Sequence, residues 1–80
     1  MKLSSKYFEK EGYTVTWAQD GCMQFTLKDL SVTVEFRGDF ATCAILIYKN
    51  VMLHIPSIGG EPITVCEYKN ALLSLVEETK

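Results

Sequence analysis

From Tyr13 to Ile55 apolar and polar residues alternate in short runs, cut at Asp20-Gly21, Lys28-Asp29, Gly38-Asp39 and Lys49-Asn50. A period of two is the pattern of a strand with one face on a core and one in water. Turn signals spaced roughly eight to eleven residues apart predict an antiparallel meander of five strands. A slip of one residue would send every side chain to the opposite face, so each hairpin makes a testable choice of register.

At the first hairpin, a two-residue turn at Asp20-Gly21 would set Trp17 against Gln24 and Val15 against Thr26. A three-residue loop, Gln19 to Gly21, instead sets Trp17 against Met23, Val15 against Phe25 and Tyr13 against Leu27. The longer loop buries one consistent face and puts Gly21 where a left-handed residue is required, so it is the expected register. A turn at Lys28-Asp29 pairs Leu27 with Leu30, Phe25 with Val32 and Met23 with Val34. A loop of Arg37, Gly38 and Asp39 then pairs Phe36 with Phe40, Val32 with Ala44 and Leu30 with Leu46. The last turn, Lys49-Asn50, sets Tyr48 against Val51 and Leu46 against Leu53. The expected core face comprises Tyr13, Val15, Trp17, Met23, Phe25, Leu27, Leu30, Val32, Val34, Phe36, Leu46, Leu53 and Ile55.

Helical signals flank this region. Ser4 and Ser5 before residues 6–11, with Gly12 after them, frame a helix of about two turns that must pack through Leu3, Tyr7 or Phe8 to persist. Residues 56–62 hold two prolines and a Gly-Gly pair and read as a loop. Beyond it, Thr64 and Glu67 form a capping box, and Ile63 and Tyr68 are spaced for a hydrophobic staple. Val65, Tyr68, Leu72, Leu75 and Val76 recur at helical spacing over residues 65–78. The predicted fold is therefore α+β in a single domain, residues 1–80. It has a short N-terminal helix, a five-stranded antiparallel meander sheet and a C-terminal amphipathic helix packed on one sheet face.

The segment from Phe40 to Tyr48 departs from the alternation. It carries no charge and is apolar on both sets of side chains, so both its faces need cover. The face opposite the core is polar through Thr14, Thr16, Gln24, Thr26, Ser31, Thr33, Glu35 and Arg37. It turns apolar at Ala41, Cys43, Ile45, Ile47 and Met52, with His54 near the end. Either the N-terminal helix folds back over this patch, or a partner meets it. An edge position for the fifth strand would add a route by sheet extension.

Composition narrows the function classes. The 80 residues are 48% hydrophobic and 22% charged, which is globular rather than disordered composition. A net charge of −2 without a basic stripe argues against nucleic acid as partner. No apolar run is long enough to span a bilayer, and residues 1–5 lack the apolar core of a leader. Cys22, Cys43 and Cys66 are odd in number and sit in apolar settings, as reduced thiols of a cytoplasmic protein do.

Candidate chemistry is sparse. A Cys43–His54 pair across the sheet is the one conceivable nucleophile–base arrangement, yet such diagonal neighbours are common without catalysis. A zinc site from Cys22, Cys43, Cys66 and His54 lacks a close-spaced ligand pair, so neither metal nor cofactor is expected. Glu77 and Glu78 oppose the dipole at the end of the final helix and read as solubilising charges. Gly59-Gly60 reads as a hinge, since Glu61 beside it opposes anion binding. The tripeptide Arg37-Gly38-Asp39 matches an adhesion motif, but Gly-Asp is what a hairpin turn needs in any case.

With no catalytic constellation, the expectation is a non-enzymatic protein-interaction domain, such as an inhibitor or adaptor, docking through an apolar sheet face or edge strand. By size and style alone, without a shared motif, small inhibitors encoded by phages and other mobile elements are similar. The expected contact residues are Cys43, Ile45, Ile47, Met52, His54 and Tyr48. The alternative is a homodimer with a structural or small-ligand role.

Overall fold

A computed structural model describes all residues, Met1–Lys80. Helix α1 (Ser5–Lys10) leads into strands β1 (Thr14–Gln19), β2 (Cys22–Leu27), β3 (Leu30–Arg37), β4 (Phe40–Tyr48) and β5 (Val51–Ile55), and helix α2 (Val65–Glu78) closes the chain. The strands pair antiparallel in sequence order, so β1 and β5 are the edges. This is the α+β meander that the alternation and turn signals predict.

Both helices pack on one face of the sheet. Phe8 of α1 is fully buried and stacks on Phe25 of β2, with ring centroids 4.3 Å apart and 10° between planes. Tyr13 and Tyr68 meet Phe8 edge-on at 5.1 and 5.3 Å, so one ring ties α1, β2 and α2 together. Such pairs add about 0.5–1.5 kcal/mol each beyond the area they bury. Helix α2 lies over β4 and β5. Its start is held by the expected capping box, in which the Thr64 side chain accepts from the Glu67 amide and the Glu67 carboxylate accepts from the Thr64 amide. Ile63 and Tyr68, the expected staple, are both buried in the core. Helix α1 starts one residue before the expected span of 6–11, so its N-cap is Ser4, whose side chain makes no capping bond.

Two bulges correct the expected registers. The turn at Asp20-Gly21 has two residues, with Gln19 opposite Cys22 and Trp17 opposite Gln24. A bulge between Val15 and Trp17 then restores the other register, placing Val15 opposite Phe25. Each candidate register thus holds for half of the strand. The extra residue turns Trp17 onto the face away from the helices, where it is 45% exposed rather than core. Val15 keeps its expected face but is also exposed, as is every residue of β1.

The second correction lies in β3–β4. The turn is the two-residue Gly38-Asp39, and Arg37 pairs with Phe40, Phe36 with Ala41, Val34 with Ala44, Val32 with Leu46 and Leu30 with Tyr48. The bulge at Thr42 turns Ala41 from the expected outer face into the core, fully buried. The Thr42 hydroxyl donates to the Glu35 carbonyl at 3.4 Å, occupying an acceptor beside the irregularity. The registers at Lys28-Asp29 and Lys49-Asn50 are as expected.

Ala41 sits in a knot of three backbones. Leu3 donates to Ile63, Ile63 to Ala41, and Ala41 to Leu3, at 2.7, 2.7 and 2.8 Å. This closed cycle pins the N-terminal segment and the loop before α2 to the start of β4. Small size at Ala41 lets the backbones approach.

Candidate functional site

Because α1 and α2 share a face, the opposite face of the sheet is left open. The expectation that the N-terminal helix could cover it is overturned: Phe8 is committed to Phe25, on the core side. Register fixes the rows of the open face. Trp17, Gln24, Thr33, Ile45 and His54 form one row across all the strands. Thr14, Thr26, Ser31, Ile47 and Met52 form the next, and Gln19, Cys22, Glu35 and Cys43 a third.

The two halves of this surface differ in kind. Over β1–β3 the polar side chains satisfy one another, the Thr16 hydroxyl donating to Gln24 Oε1 at 3.2 Å and Gln24 Nε2 to Ser31 Oγ at 3.2 Å. Over β4–β5 the surface is apolar, with the paired Ile47 and Met52 37% and 65% exposed and Ile45 and Cys43 half-buried in the next rows along β4. Of the six expected contact residues, Cys43, Ile45, Ile47, Met52 and His54 are brought together here. Tyr48 is not among them. Its partners Leu30 and Val51 place it on the helix side, at a rim it shares with Leu72 and Val76. Trp17 is a further exposed apolar residue of the open face, hidden from sequence reasoning by the bulge that turns it over.

Cys43 Sγ lies 3.2 Å from His54 Nε2, the diagonal contact that the meander implies. Burial pushes the Cys43 thiol up, and the Glu35 carboxylate and Cys22 add to this, against a lowering hydrogen bond with the Ser57 backbone. A nucleophilic cysteine needs the opposite shift, toward thiolate at neutral pH. The pair therefore has the contact of a dyad without its activation. Cys22 lies in the same row as Cys43 but beyond Glu35, whereas Cys66 is exposed on α2. The four residues of the single-chain zinc site are not gathered, and no cluster of three or more His, Cys, Asp or Glu side chains is placed to hold a metal ion.

Other concave surfaces are shallow. The most apolar is a groove of about 380 Å³ between α1 and α2, lined by Tyr7, Glu11, Lys69, Leu72, Leu73 and Val76. No helix is long and apolar enough to cross a membrane. Neither edge is capped from within the chain, since no backbone hydrogen bond outside the ladder engages residues of β1 or β5. Comparison with protein-family models, curated proteins and solved structures finds no match to this chain.

Proposed function

We infer that this chain is a small, non-catalytic protein-interaction domain that docks through the open face of β4 and β5. The reading rests on one observation above all: both helices occupy the same sheet face, so Ile45, Ile47, Met52, Cys43 and His54 stand uncovered on the other. Burying such a patch against a partner is worth roughly 25 cal/mol per Å² of apolar area removed from water. The raised thiol at Cys43 supports a binding rather than a catalytic role for the pair it forms with His54. A domain of this size acts by occupying a partner's surface, as an inhibitor or adaptor does. Three free thiols fit a reducing compartment such as the cytoplasm.

The test compares wild type with Ile47→Asp and with Leu73→Asp in affinity capture, each first verified as folded by circular dichroism. Ile47 belongs to the open face, and Leu73 is 63% exposed on α2. A partner retained by wild type and Leu73→Asp but lost by Ile47→Asp supports docking through β4–β5. Loss with Leu73→Asp alone would move the docking surface to the helices and overturn the reading.

A further inference from the structure

We propose that β5 accepts a strand from a partner protein, and that this strand alternates apolar residues with lysine or arginine. The proposal rests on β4–β5 being the docking surface, and it names the chemistry of the segment that docks. The turn before β5 fixes which of its backbone groups are free. Lys49 and Asn50 have φ of +49° and +66°, a type I′ turn, so Tyr48 and Val51 flank it as a hydrogen-bonded pair. Ladder bonds recur at every second pair, so Val51, Leu53 and Ile55 spend their amides and carbonyls on β4. Those of Met52 and His54 point outward from the edge, and no other backbone group of the chain meets them. Edges are commonly guarded by a charge, a proline or a bulge. β1 has its bulge between Val15 and Trp17, whereas β5 pairs without interruption from Val51 to Ile55 and contains none of the three.

Helix α2 supplies the charge preference. Lys69, Leu72, Leu73 and Val76 line the groove toward α1, which fixes the rotation of α2 about its axis. At 3.6 residues per turn, Glu67, Ala71, Ser74 and Glu78 form the opposite stripe. Since α1 lies over β2 and α2 over β4 and β5, this stripe overlooks the free edge. It carries two carboxylates and no base. Glu67 commits only Oε1 to the helix cap, and Glu78 forms no ion pair. Bases of the adjoining segments are engaged elsewhere, Lys49 over the Tyr48 ring at 5.3 Å, Lys2 over the Phe40 ring at 5.1 Å and Lys80 with Glu77 at 3.2 Å. On the open face the edge is apolar at Met52, and the Glu35 carboxylate lies two strands in.

Strand parity joins the two preferences. Residues paired with Met52 and His54 lay their side chains on the open face, where apolar groups extend the row of Ile47 and Met52. Their neighbours fall on the helix side, where basic groups reach Glu67 and Glu78. Those two acids stand about 16 Å apart along the helix, and residues four apart in a strand stand about 13 Å apart before their side chains reach out. A second copy is a poor occupant of the same edge, because β5 against β5 brings two acidic stripes together.

The probe is a fluorescein-labelled seven-residue peptide alternating valine and lysine, followed by anisotropy and by amide hydrogen exchange in NMR. The expected result is saturable binding, with the Met52 and His54 amides newly protected and those of Val51, Leu53 and Ile55 unchanged. Met52→Pro removes an amide that no ladder bond uses, so the chain should fold and bind about tenfold more weakly or worse. Glu67→Gln with Glu78→Gln keeps the cap, which glutamine also forms, and should weaken binding about tenfold through two lost ion pairs. A peptide with glutamate in place of lysine should not bind. No saturable binding, unchanged exchange at Met52 and His54, or equal binding by the glutamate peptide overturns the proposal. So does a doubled mass of the chain alone in light scattering that Met52→Pro abolishes, which gives the edge to a second copy. A captured partner lost by Ile47→Asp but kept by Met52→Pro removes strand addition and leaves docking through the open face standing. One kept by Ile47→Asp removes the open-face reading itself.

Discussion

Tyr68 shows how single residues set the stability of this domain. It is fully buried, and its hydroxyl shares a 2.8 Å hydrogen bond with that of Tyr13. Burial first, and the bond to Tyr13 second, raise its ionisation far above the ordinary phenol range, and burial also raises Tyr7 and Tyr13. The folded state thus holds these protons more tightly than the unfolded chain does. Their contribution is full below about pH 10 and is lost as pH climbs above it. Denaturant unfolding at pH 7 and pH 11 should show a marked alkaline loss in wild type and a smaller one in Tyr68→Phe. At neutral pH the variant should cost about 1 kcal/mol for the lost hydrogen bond. Gly60 is a second such residue. Its φ is +74°, and an added Cβ would lie 2.6 Å from Arg37 Nη1. The guanidinium can swing aside, so the backbone conformation dominates, and Gly60→Ala should lower stability by about 1 kcal/mol in thermal unfolding.

At the scale of elements, α2 and α1 depend on different things. Helix α2 has its own start signal, and Thr64→Ala removes the hydroxyl that accepts from the Glu67 amide and donates to the Glu67 carboxylate, leaving the bond from the Thr64 amide in place. The expected loss is about 1 kcal/mol, a fall in Tm of about 4–8 °C for a domain of this size. Helix α1 is too short to persist alone, and its side chain at Phe8 is the attachment. Phe8→Ala should cost about 3–5 kcal/mol, a large part of what a small domain possesses, and should free the N-terminal segment to rapid amide exchange. The capping box, the α2 boundaries and two turns were legible in the sequence because each rests on local chemistry. The bulges at Thr16 and Thr42 were not. The run Thr14, Val15, Thr16, Trp17 alternates without a break, and a bulge reverses a face without altering that alternation. The available signal was that each of two registers satisfied part of the first hairpin. At β4 the small residues Ala41, Thr42 and Ala44 left the facing direction weakly specified. The side taken by α1 was hidden for a related reason, since Tyr7 and Phe8 could have packed on either apolar surface.

Over the whole molecule, the uneven use of the sheet is the property that matters. One face carries two helices and an aromatic cluster, while the other carries neither helix. Five of the six expected contact residues lie together on that face because alternation and register are long-range constraints that the sequence does encode. Tyr48 lies elsewhere because its parity follows Leu30. Equilibrium unfolding of Ile47→Asp tests the open face most directly, since it asks whether water or protein stands over β4. A carboxylate reaching into water should leave a cooperative transition within about 1 kcal/mol of wild type, the span of strand preferences at such positions. A chain that no longer folds, or one weakened by about 3 kcal/mol or more, would place Ile47 in a core and contradict a docking face there.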